Sequence, residues 1–510
     1  MKLIYGVKDR PKTGQLILFA LQQLLAILAA TIAVPMVVGN GMSISAALFG
    51  AGAGTLVYLL FTKFRSPVFL GSSFAFIGSM TAAFAGGVSM SLGYLGLIVG
   101  AVFAGLVYVV IAIVVKFVGV KWIDKIMPAA VIGPTVALIG LSLAGSAISN
   151  AVGGASLDAD LGSYVMNLTT GLNLICALFT LAVTIVCSVY GKKMMKMIPF
   201  IIGILSGYAL AAIFTAFSYI PGAEAMRIID FTIFQNMEWV PGFTFIEAFV
   251  GADYAAPGGI GAYIGTIAVA YIPVAFVVFA EHIADHKNIS SIIESDLLTD
   301  PGLSRTLLGD GVGSMVGAFF GGCPNTTYGE SIGCVAISGN ASVVTIFVTA
   351  LLAIVASFVG PFVTFLSSIP SCVMGGVCVA LYGFIAVSGL KMVQKVDLND
   401  NGNLFTVSSI LVAGVGGLAV TFGQVTVTNI ACALILGILV NVLVNLRNKK
   451  KSARQQAAAE GEDGGESAEE GAEANAALEK LRDLREAGIL TAEECAEFER
   501  RASGGSSSEQ

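Results

Sequence analysis

Long runs of apolar residues dominate the first 446 positions of this chain. Eleven of them are long enough to cross about 30 Å of hydrocarbon at about 1.5 Å per residue. They lie at about 14–38, 44–62, 91–117, 127–149, 169–190, 196–218, 262–284, 343–367, 371–391, 404–422 and 427–446. Three further segments, which are apolar but short or broken by Gly, Ser and Pro, lie at about 67–86, 304–321 and 326–341.

The composition assigns these runs to a lipid environment. The chain has 56% hydrophobic and only 12% charged residues, whereas a soluble protein has roughly a quarter charged residues. A soluble fold of this length could not bury so much apolar surface. We therefore expect an all-α polytopic membrane protein with 14 transmembrane segments, embedded in a lipid bilayer.

The distribution of Lys and Arg predicts the orientation of these segments. Basic residues collect at alternate connections, from the N-terminal segment to Lys449 after the last run, and the opposite connections are nearly bare. The long loop 219–261 has Arg227 as its one Lys or Arg. Cytoplasmic connections carry such an excess of basic residues. We expect a multi-pass protein of the cytoplasmic (inner) membrane, with both the N- and C-termini in the cytoplasm.

The segment after the last run differs from the rest of the chain. Residues 447–475 are acidic and rich in Ala, Glu and Gly, a composition that predicts a disordered linker. Residues 476–502 have three leucines at helical spacing, a Gly that can end a helix, and a capping-box pair of Thr491 and Glu494. They predict a short C-terminal helical hairpin. Residues 1–446 would form one membrane-embedded domain. The chain has no basic patch suited to nucleic acid.

Few ionisable residues lie within the apolar segments. Because each costs roughly 2.5–3.5 kcal/mol at the centre of a membrane helix, each is a candidate functional residue. They are Glu281, His282, Asp285, His286, Asp310 and Glu330. No nucleophile–base pair, closed set of metal ligands or GxxxxGK[ST] phosphate-binding loop accompanies them in the sequence. We expect no enzyme activity, no metal and no other cofactor.

Two broken segments, 67–78 and 323–333, predict the position of the substrate. Each begins as an extended stretch and then becomes a half-helix, whose first N–H groups form a cluster of donors. Transporters built from inverted repeats bind substrate where such segments meet. The spacing matches in the two halves, since 74 − 22 = 52 from Gln22 to Phe74 and 330 − 281 = 49 from Glu281 to Glu330. Seven segments in each half predict a 7+7 inverted repeat.

The residue types at this meeting point suit a nucleobase. The carboxylates of Glu281 and Glu330 accept hydrogen bonds, and the half-helices donate them. Flat apolar surface comes from Phe74, Phe76, Tyr328 and Tyr382. A planar ring with N–H donors beside C=O acceptors, such as uracil, satisfies both sets. Because a carboxyl group removed from water favours its neutral form, protonation of either acid would link the cargo to proton uptake.

Seven short sequences show that the chain resembles the nucleobase/ascorbate transporter family (nucleobase:cation symporter-2) over about residues 5–446. They are LQQL at 21–24, LGSSFAF at 70–76, AEHI at 280–283, DPGL at 300–303, PNTTYGE at 324–330, VMGG at 373–376 and LYG at 381–383. The resemblance implies proton-coupled uracil import, a homodimer and elevator-like movement. It also implies a core domain (spans about 14–117 and 262–367) and a gate domain (spans about 127–218 and 371–446).

The resemblance also implies roles for individual residues. It implies that Glu281 and Glu330 bind the base and that the backbones of Phe74 and Gly329 donate hydrogen bonds to it. Tyr328 and Tyr382 would line the site, and Ser73 belongs to the same group of binding residues.

Proton coupling is predicted for four residues: Glu281, Asp285, His286 and Glu330. Relatives often have His four residues after the first Glu, but here Asp285 stands there and His286 follows. Positions four apart share a helix face and positions five apart do not. We therefore expect Asp285 on the pocket side, with His286 as the second candidate. The coupling ion is expected to be H⁺, with Na⁺ as the alternative.

Other functions and roles remain open. Purine carriers of this family commonly have Gln at the position of Glu330, so the acid favours a pyrimidine, and a xanthine or urate permease is the alternative. An anion exchanger or channel of this architecture is a further alternative, although an anion needs a basic residue at its site.

Structural roles also compete at single positions. Glu281 and Glu330 could hold two helices together, Asp310 is either structural or ion-linked, and Gln23 could bond two helices. We place His282 and His286 where a span meets the cytoplasm, in solvated or helix-capping positions.

Overall fold

The computed structural model describes residues 3–460 except 156, 159–161, 193, 252, 257 and 423–424. Helices of the first half are α1 (Thr13–Val38), α2 (Ile44–Phe61), α3 (Ile77–Ala83), α4 (Met90–Val118), α5 (Lys121–Ile126), α6 (Ala129–Ser142), α7 (Ala144–Ala151), α8 (Leu168–Tyr190), α9 (Met194–Met197), α10 (Pro199–Phe217) and α11 (Thr244–Phe249). Those of the second half are α12 (Ile260–Ile293), α13 (Leu303–Gly321), α14 (Gly329–Ser338), α15 (Val343–Ala356), α16 (Gly360–Ser367), α17 (Ser371–Val393), α18 (Asn401–Val415) and α19 (Asn429–Glu460). The strands are β1 (Leu70–Ser72), β2 (Asn325–Thr327), β3 (Val420–Phe422) and β4 (Val425–Val427).

The fold is mostly helical and suited to several passages through a membrane. Among the described residues, eight helical segments are long and apolar enough to span it, with α6 and α7 counted as one. The pair α15 and α16, bent by 85°, would add a ninth. Helix α18 and the first part of α19 are apolar but shorter. The chain is therefore a multi-pass membrane protein.

The helices pack as two groups. The first bundle consists of α1, α2, α4, α12, α13 and α15, and the second bundle consists of α6, α7, α8, α10, α17 and α18. Between the bundles, α12 contacts α6, and α1 contacts α10 and α17. The two broken segments predicted to bind substrate form β1 with α3 and β2 with α14, and both pack against the first bundle.

Glycines allow α2 and α13 to pack backbone against backbone. A Cβ atom at Gly50 would lie 2.5 Å from the carbonyl oxygen of Gly317, and one at Gly54 would lie 2.7 Å from that of Gly313. Small residues at this spacing permit close helix approach in a membrane. The many glycines that made 304–321 look broken in the sequence therefore serve a continuous helix, α13.

Strands β1 and β2 pair in antiparallel fashion at the centre of the first bundle. Leu70 lies opposite Thr327 and Ser72 opposite Asn325. All six residues of the pair are buried. The Asn325 side chain donates to the carbonyl oxygen of Gly50 at 2.9 Å, which fixes the pair to α2. Helix α14 begins directly after β2, and α3 begins shortly after β1, so both half-helices start from this pair.

Two predicted spans differ from the helices of the structure. The predicted span 404–422 is helical only to Val415 and is followed by the β3–β4 pair. Gly417 has a φ of 73°, which ends the helix easily, and the β-branched residues that follow favour strands. The predicted span 343–367 is divided by the bend between α15 and α16.

The last described helix extends into the predicted linker. Helix α19 continues to Glu460, so the structure is helical over the start of the segment 447–475, where the sequence predicts a disordered linker. Its Lys, Arg, Gln and Ala residues are strong helix formers. The rest of that segment and the hairpin predicted at 476–502 lie outside the described residues.

Candidate functional site

A cavity of about 340 Å³ lies where the two bundles face each other. Its first-bundle side contains residues from α12, β2, α14 and the segment after β1. These are Phe74, Glu281, Asp285, Thr327, Tyr328, Gly329 and Glu330. Its opposite side includes Val136, Lys196, Phe200, Phe384 and Ser388. Five of the predicted binding residues therefore line one cavity, together with Asp285.

Three carboxylates share this cavity. Glu281 and Asp285 lie one turn apart on α12, and Glu330 lies in the first turn of α14; all three are half-buried. Asp285 accepts a hydrogen bond from the Thr327 hydroxyl at 2.7 Å. Within the described chain, neither Glu281 nor Glu330 is hydrogen-bonded to a neighbouring side chain. Both carboxylates can therefore accept hydrogen bonds from a ligand.

The start of α14 faces the cavity. Tyr328 occupies the N-cap position, and no side chain caps this end of the helix. Gly329 is exposed, and a Cβ atom there would have no neighbour within 4 Å. The first amide groups of a helix have no partners within it. The backbone at Gly329 thus supplies hydrogen-bond donors close to the Glu330 carboxylate.

Aromatic rings form one wall. The ring of Tyr328 is fixed because its hydroxyl donates to the carbonyl oxygen of Ser72 at 2.8 Å. Phe74 is 8% exposed and lines the cavity. Tyr382 is buried behind Phe74, with the two ring centroids 5.4 Å apart and nearly perpendicular. Tyr382 therefore supports a lining residue and does not itself line the cavity.

Ser73 also lies outside the cavity lining. It is buried, and its backbone N–H donates to the carbonyl oxygen of Pro324 at 2.9 Å. This hydrogen bond joins the end of β1 to the residue before β2. The structure thus places Ser73 in the framework that positions Phe74.

The two histidines of α12 lie on its other face, and their predicted solvated or capping position was wrong. His282 Nδ1 lies 2.6 Å from Asp310 Oδ2, and His282 Nε2 lies 3.0 Å from the Thr306 hydroxyl. His286 Nε2 lies 2.8 Å from the Tyr58 hydroxyl. All five side chains are buried. The error has a simple cause: α12 continues to Ile293, so these residues lie inside the helix and not at its end.

This arrangement separates Asp285 from His286. Asp285 lines the cavity, as the four-residue spacing from Glu281 predicted, and His286 does not. The Nδ1–H of His286 donates to the backbone oxygen of His282 at 2.8 Å, so all four imidazole nitrogens have partners. The histidines have no free nitrogen for a metal ion.

Several residues of the site were not found from the sequence. Lys196 lines the cavity, although it was counted only as a basic residue of a cytoplasmic connection. Asn288 also lines it, and its position seven residues after Glu281 on one helix could have revealed it. Phe200 and Phe384 gave no local signal, because they reach the cavity from distant segments.

Gln23 has the interhelical role considered for it. Its side-chain amide donates to both the hydroxyl and the backbone oxygen of Ser331, which ties α1 to the first turn of α14. Neighbouring Gln22 lies with its Nε2 atom 2.6 Å from the Met194 sulfur, on the short helix α9. Thus α1 supports the site and also contacts α9, the short helix that contains Lys196.

Comparison with known proteins identifies the family. The model of the Permease family matches residues 14–423. This chain belongs to the Permease family. The resemblance predicted from seven short sequences is thereby confirmed, and the permease is a transporter and not an enzyme.

The permease is similar over most of its length to several proteins named uracil permease. It is 39% identical over 442 residues to the uracil permease of Bacillus caldolyticus, covering 86% of this chain and 94% of the relative. It is 38% identical over 443 residues to the uracil permease of Bacillus subtilis, with coverage of 86% and 94%. It is 36% identical over 435 residues to the uracil permease of Escherichia coli K12, with coverage of 85% and 92%.

Solved structures with a similar fold have more distant sequences. The transmembrane domain of the cyanobacterial bicarbonate transporter BicA gives a TM-score of 0.57 at 15% identity, covering 85% of this chain and 99% of that one. The murine Solute Carrier 26 family member A9 anion transporter, in the inward-facing state, gives 0.57 at 13% identity, with coverage of 86% and 69%. At such low identities the likeness concerns the fold alone.

Proposed function

We propose that this permease imports uracil together with protons across the cytoplasmic membrane. The observation that carries the proposal is the cavity itself, where Glu281 and Glu330 offer hydrogen-bond acceptors beside the backbone donors at Gly329. Uracil presents N–H donors and C=O acceptors on one planar ring, so it can pair with both. The similarity to three proteins named uracil permease supports the same cargo.

A purine such as xanthine or urate is the second candidate. It has the same kinds of donors and acceptors, and a cavity of about 340 Å³ does not exclude it by size. The acid at position 330 favours the pyrimidine. The similarity to a uracil permease over 86% of this chain also favours a pyrimidine.

An anion as cargo is disfavoured by the local charge. Lys196 is a basic residue at the cavity, but it is exposed and faces three carboxylates. The similar structures include anion transporters, yet they share only the fold. A neutral ring with both donors and acceptors therefore fits this cavity better than an anion.

The three carboxylates also suggest how protons are coupled. Like charges that share a partly buried cavity repel one another, and a proton bound to one of them relieves that repulsion. We assign the coupling proton to Glu281, Asp285 and Glu330 as a group. His286 is not part of this group, because it lies on the face of α12 that points away from the cavity and is hydrogen-bonded to Tyr58. Sodium in place of the proton is the alternative.

The proposal includes an architecture and a movement. The order of segments supports a 7+7 inverted repeat of 14 spans, because β1–α3 and β2–α14 hold matching places in the two halves. The first bundle would be the core domain and the second bundle the gate domain of a homodimer. Elevator-like movement of the core would carry the cavity across the membrane, with both chain termini in the cytoplasm.

The test is uptake of radiolabelled uracil into proteoliposomes with an imposed inward proton gradient. Wild type is compared with Glu281→Gln and Glu330→Gln, and unlabelled xanthine is added as a competitor. Because a hydrogen bond to a charged group contributes about 1.5–3 kcal/mol, each substitution should weaken uracil binding about 10- to 150-fold. The matched control is Glu238→Gln, the same change at an exposed loop position.

The arms of this experiment separate the parts of the proposal. Uracil accumulation that requires the proton gradient and both glutamates, but not sodium, supports the proposed cargo, binding site and coupling ion. Strong competition by xanthine would move the assignment to a purine carrier. Accumulation that persists without the proton gradient would contradict proton coupling and leave the cargo assignment intact.

A further inference from the structure

A second, shallow groove of about 470 Å³ lies away from the transport cavity. Three parts of the chain form it: an N-terminal strap (residues 4–10), the turn after α2, and the first turns of α15. Its lining includes Lys8, Arg10, Phe64, Val344 and Phe347. The groove therefore combines two cationic side chains with an apolar floor.

The strap is held firmly in place. The backbone N–H of Ile4 donates to the Gly339 carbonyl at 2.7 Å, and the N–H of Val343 donates to the Val7 carbonyl at 3.1 Å. The Ser342 hydroxyl donates to the carbonyl of Asp9 at 2.6 Å. These bonds lie on both sides of Lys8, so the backbone that carries the basic residues is fixed against the start of α15.

The turn after α2 brings an aromatic ring to the groove at a conformational cost. Lys63 and Phe64 have φ angles of 53° and 55°, a left-handed conformation that is unfavourable for residues with side chains. The Phe64 ring is 42% exposed and lies with its centroid 6.1 Å from that of Phe347. An apolar ligand at this place would cover these rings.

The charges of the groove are open to an anion. Asp9 is the acidic residue of the strap, and its carboxylate accepts from the Gly6 N–H at 2.7 Å. Arg65, just after the turn, is paired with Asp300. Within the described residues, no ion pair engages Lys8 or Arg10. Two cations beside an apolar floor fit a molecule with an anionic head and a hydrocarbon chain.

The location selects a membrane lipid as that molecule. The groove lies at the end of α2 and the beginning of α15, where spanning segments leave the hydrocarbon region. Phosphate headgroups lie at this depth, and clusters of basic residues there attract anionic lipids. A free phosphate ion would leave the apolar floor uncovered.

We propose that this groove binds an anionic phospholipid, with its phosphate at Lys8 and Arg10 and an acyl chain along Phe64, Val344 and Phe347. The bound lipid would fasten the strap to the first bundle. The proposal depends on the membrane location of the chain and not on the identity of its cargo.

The test is native mass spectrometry of the full-length protein in detergent with dioleoyl phosphatidylglycerol or dioleoyl phosphatidylcholine. Wild type should retain the anionic lipid in preference to the zwitterionic one. Each lost charge should weaken retention about fivefold, so Lys8→Gln with Arg10→Gln should weaken it about 25-fold. Lys391→Gln with Lys395→Gln, which removes the same charge at the end of α17, should leave retention unchanged.

Two further measurements complete the test: a charge-preserving variant and competition with inorganic phosphate. The charge-preserving pair Lys8→Arg with Arg10→Lys should retain the lipid, which separates loss of charge from misfolding of the strap. Inorganic phosphate should not displace the lipid. Equal retention of both lipids by wild type, an equal effect of the control pair, or displacement by inorganic phosphate would each overturn the proposal.

Discussion

His282 and Asp310 form a buried pair that joins α12 to α13, with Nδ1 and Oδ2 2.6 Å apart and no exposed surface on either side chain. The second oxygen of Asp310 has no hydrogen-bond partner among the described residues. A polar group buried without a partner is costly. Loss of one member of the pair therefore leaves the other in an unfavourable environment.

We expect Asp310→Asn or His282→Ala to lower the free energy of unfolding by about 1–3 kcal/mol, the usual cost of leaving a buried polar group without its hydrogen-bond partner. Denaturant unfolding in detergent micelles would measure it. The matched control is Asp300→Asn, which breaks the exposed pair with Arg65 and should cost about 0–1 kcal/mol. Equal effects at positions 300 and 310 would show that the buried pair has no special structural role.

The close packing of Gly71 against Tyr328 predicts that a side chain at position 71 disturbs the site. A Cβ atom at position 71 would lie 2.3 Å from two carbons of the Tyr328 ring, which is tethered to Ser72. Overpacking costs about 1–3 kcal/mol. If that cost falls on the ligand-bound conformation, Gly71→Ala should weaken uracil binding about 5- to 150-fold, as measured by titration calorimetry.

A nearby glycine provides the control for that substitution. A Cβ atom at Gly78, on α3, would have its nearest neighbour at 4.0 Å, so Gly78→Ala should bind uracil like wild type. Wild-type affinity in Gly71→Ala would mean that the Tyr328 ring can move without affecting the site.

A mostly helical multi-pass fold could be predicted from the sequence, because lipid requires long apolar helices and these stand out as long apolar runs. The strand pair β1–β2 was also predictable, since Pro67 and Pro324 break helices where two half-helices are needed. The β3–β4 pair was not predicted. Its residues continue an apolar run, and in such a run the periodicity does not distinguish a strand from a helix.

The site was predictable where residues follow one helix or one motif. Glu281 and Asp285 share a face of α12, as their four-residue spacing predicts. That Glu330 lies at the same cavity was expected because it stands on a broken segment of the kind that binds substrate in inverted-repeat transporters. The burial of His282 was not predictable in this way, because it depends on the packing of α12 against Asp310 and Thr306. Such contacts between distant segments leave no pattern in the local sequence.

Phe74 should contribute to uracil affinity by stacking. Its ring lines the cavity and is supported at its edge by Tyr382. Stacking of a base on an aromatic side chain contributes about 1–3 kcal/mol. We expect Phe74→Ala to weaken binding about 5- to 150-fold, measured by competition with radiolabelled uracil.

The control for this change is two residues away. Phe76 stacks on Tyr271, with centroids 5.5 Å apart, and does not line the cavity. Phe76→Leu should lower thermal stability but leave the affinity of the folded protein unchanged. Should Phe74→Ala bind uracil as wild type does, the base must lie against another wall.

The contact between Gln22 and Met194 provides a test of the proposed elevator movement. The Gln22 amide nitrogen lies 2.6 Å from the Met194 sulfur, and it joins α1 of the first bundle to α9, which precedes α10 of the second. If the first bundle moves against the second, this contact must break in each cycle. Gln22→Cys combined with Met194→Cys should therefore stop uracil uptake once a bis-methanethiosulfonate reagent links the two thiols, and a reductant should restore it.

A cross-link inside one bundle supplies the comparison. Arg65 and Asp300 are already paired, and they flank α2 and α13 of the first bundle, so the same reagent linking cysteines at these positions should leave uptake intact. Wild type and the single variants treated with the reagent control for the native cysteines. Continued uptake with the 22–194 cross-link fully formed would mean that α1 and α9 travel together, because a covalent bond permits no separation, and the boundary between moving and fixed parts would then lie elsewhere.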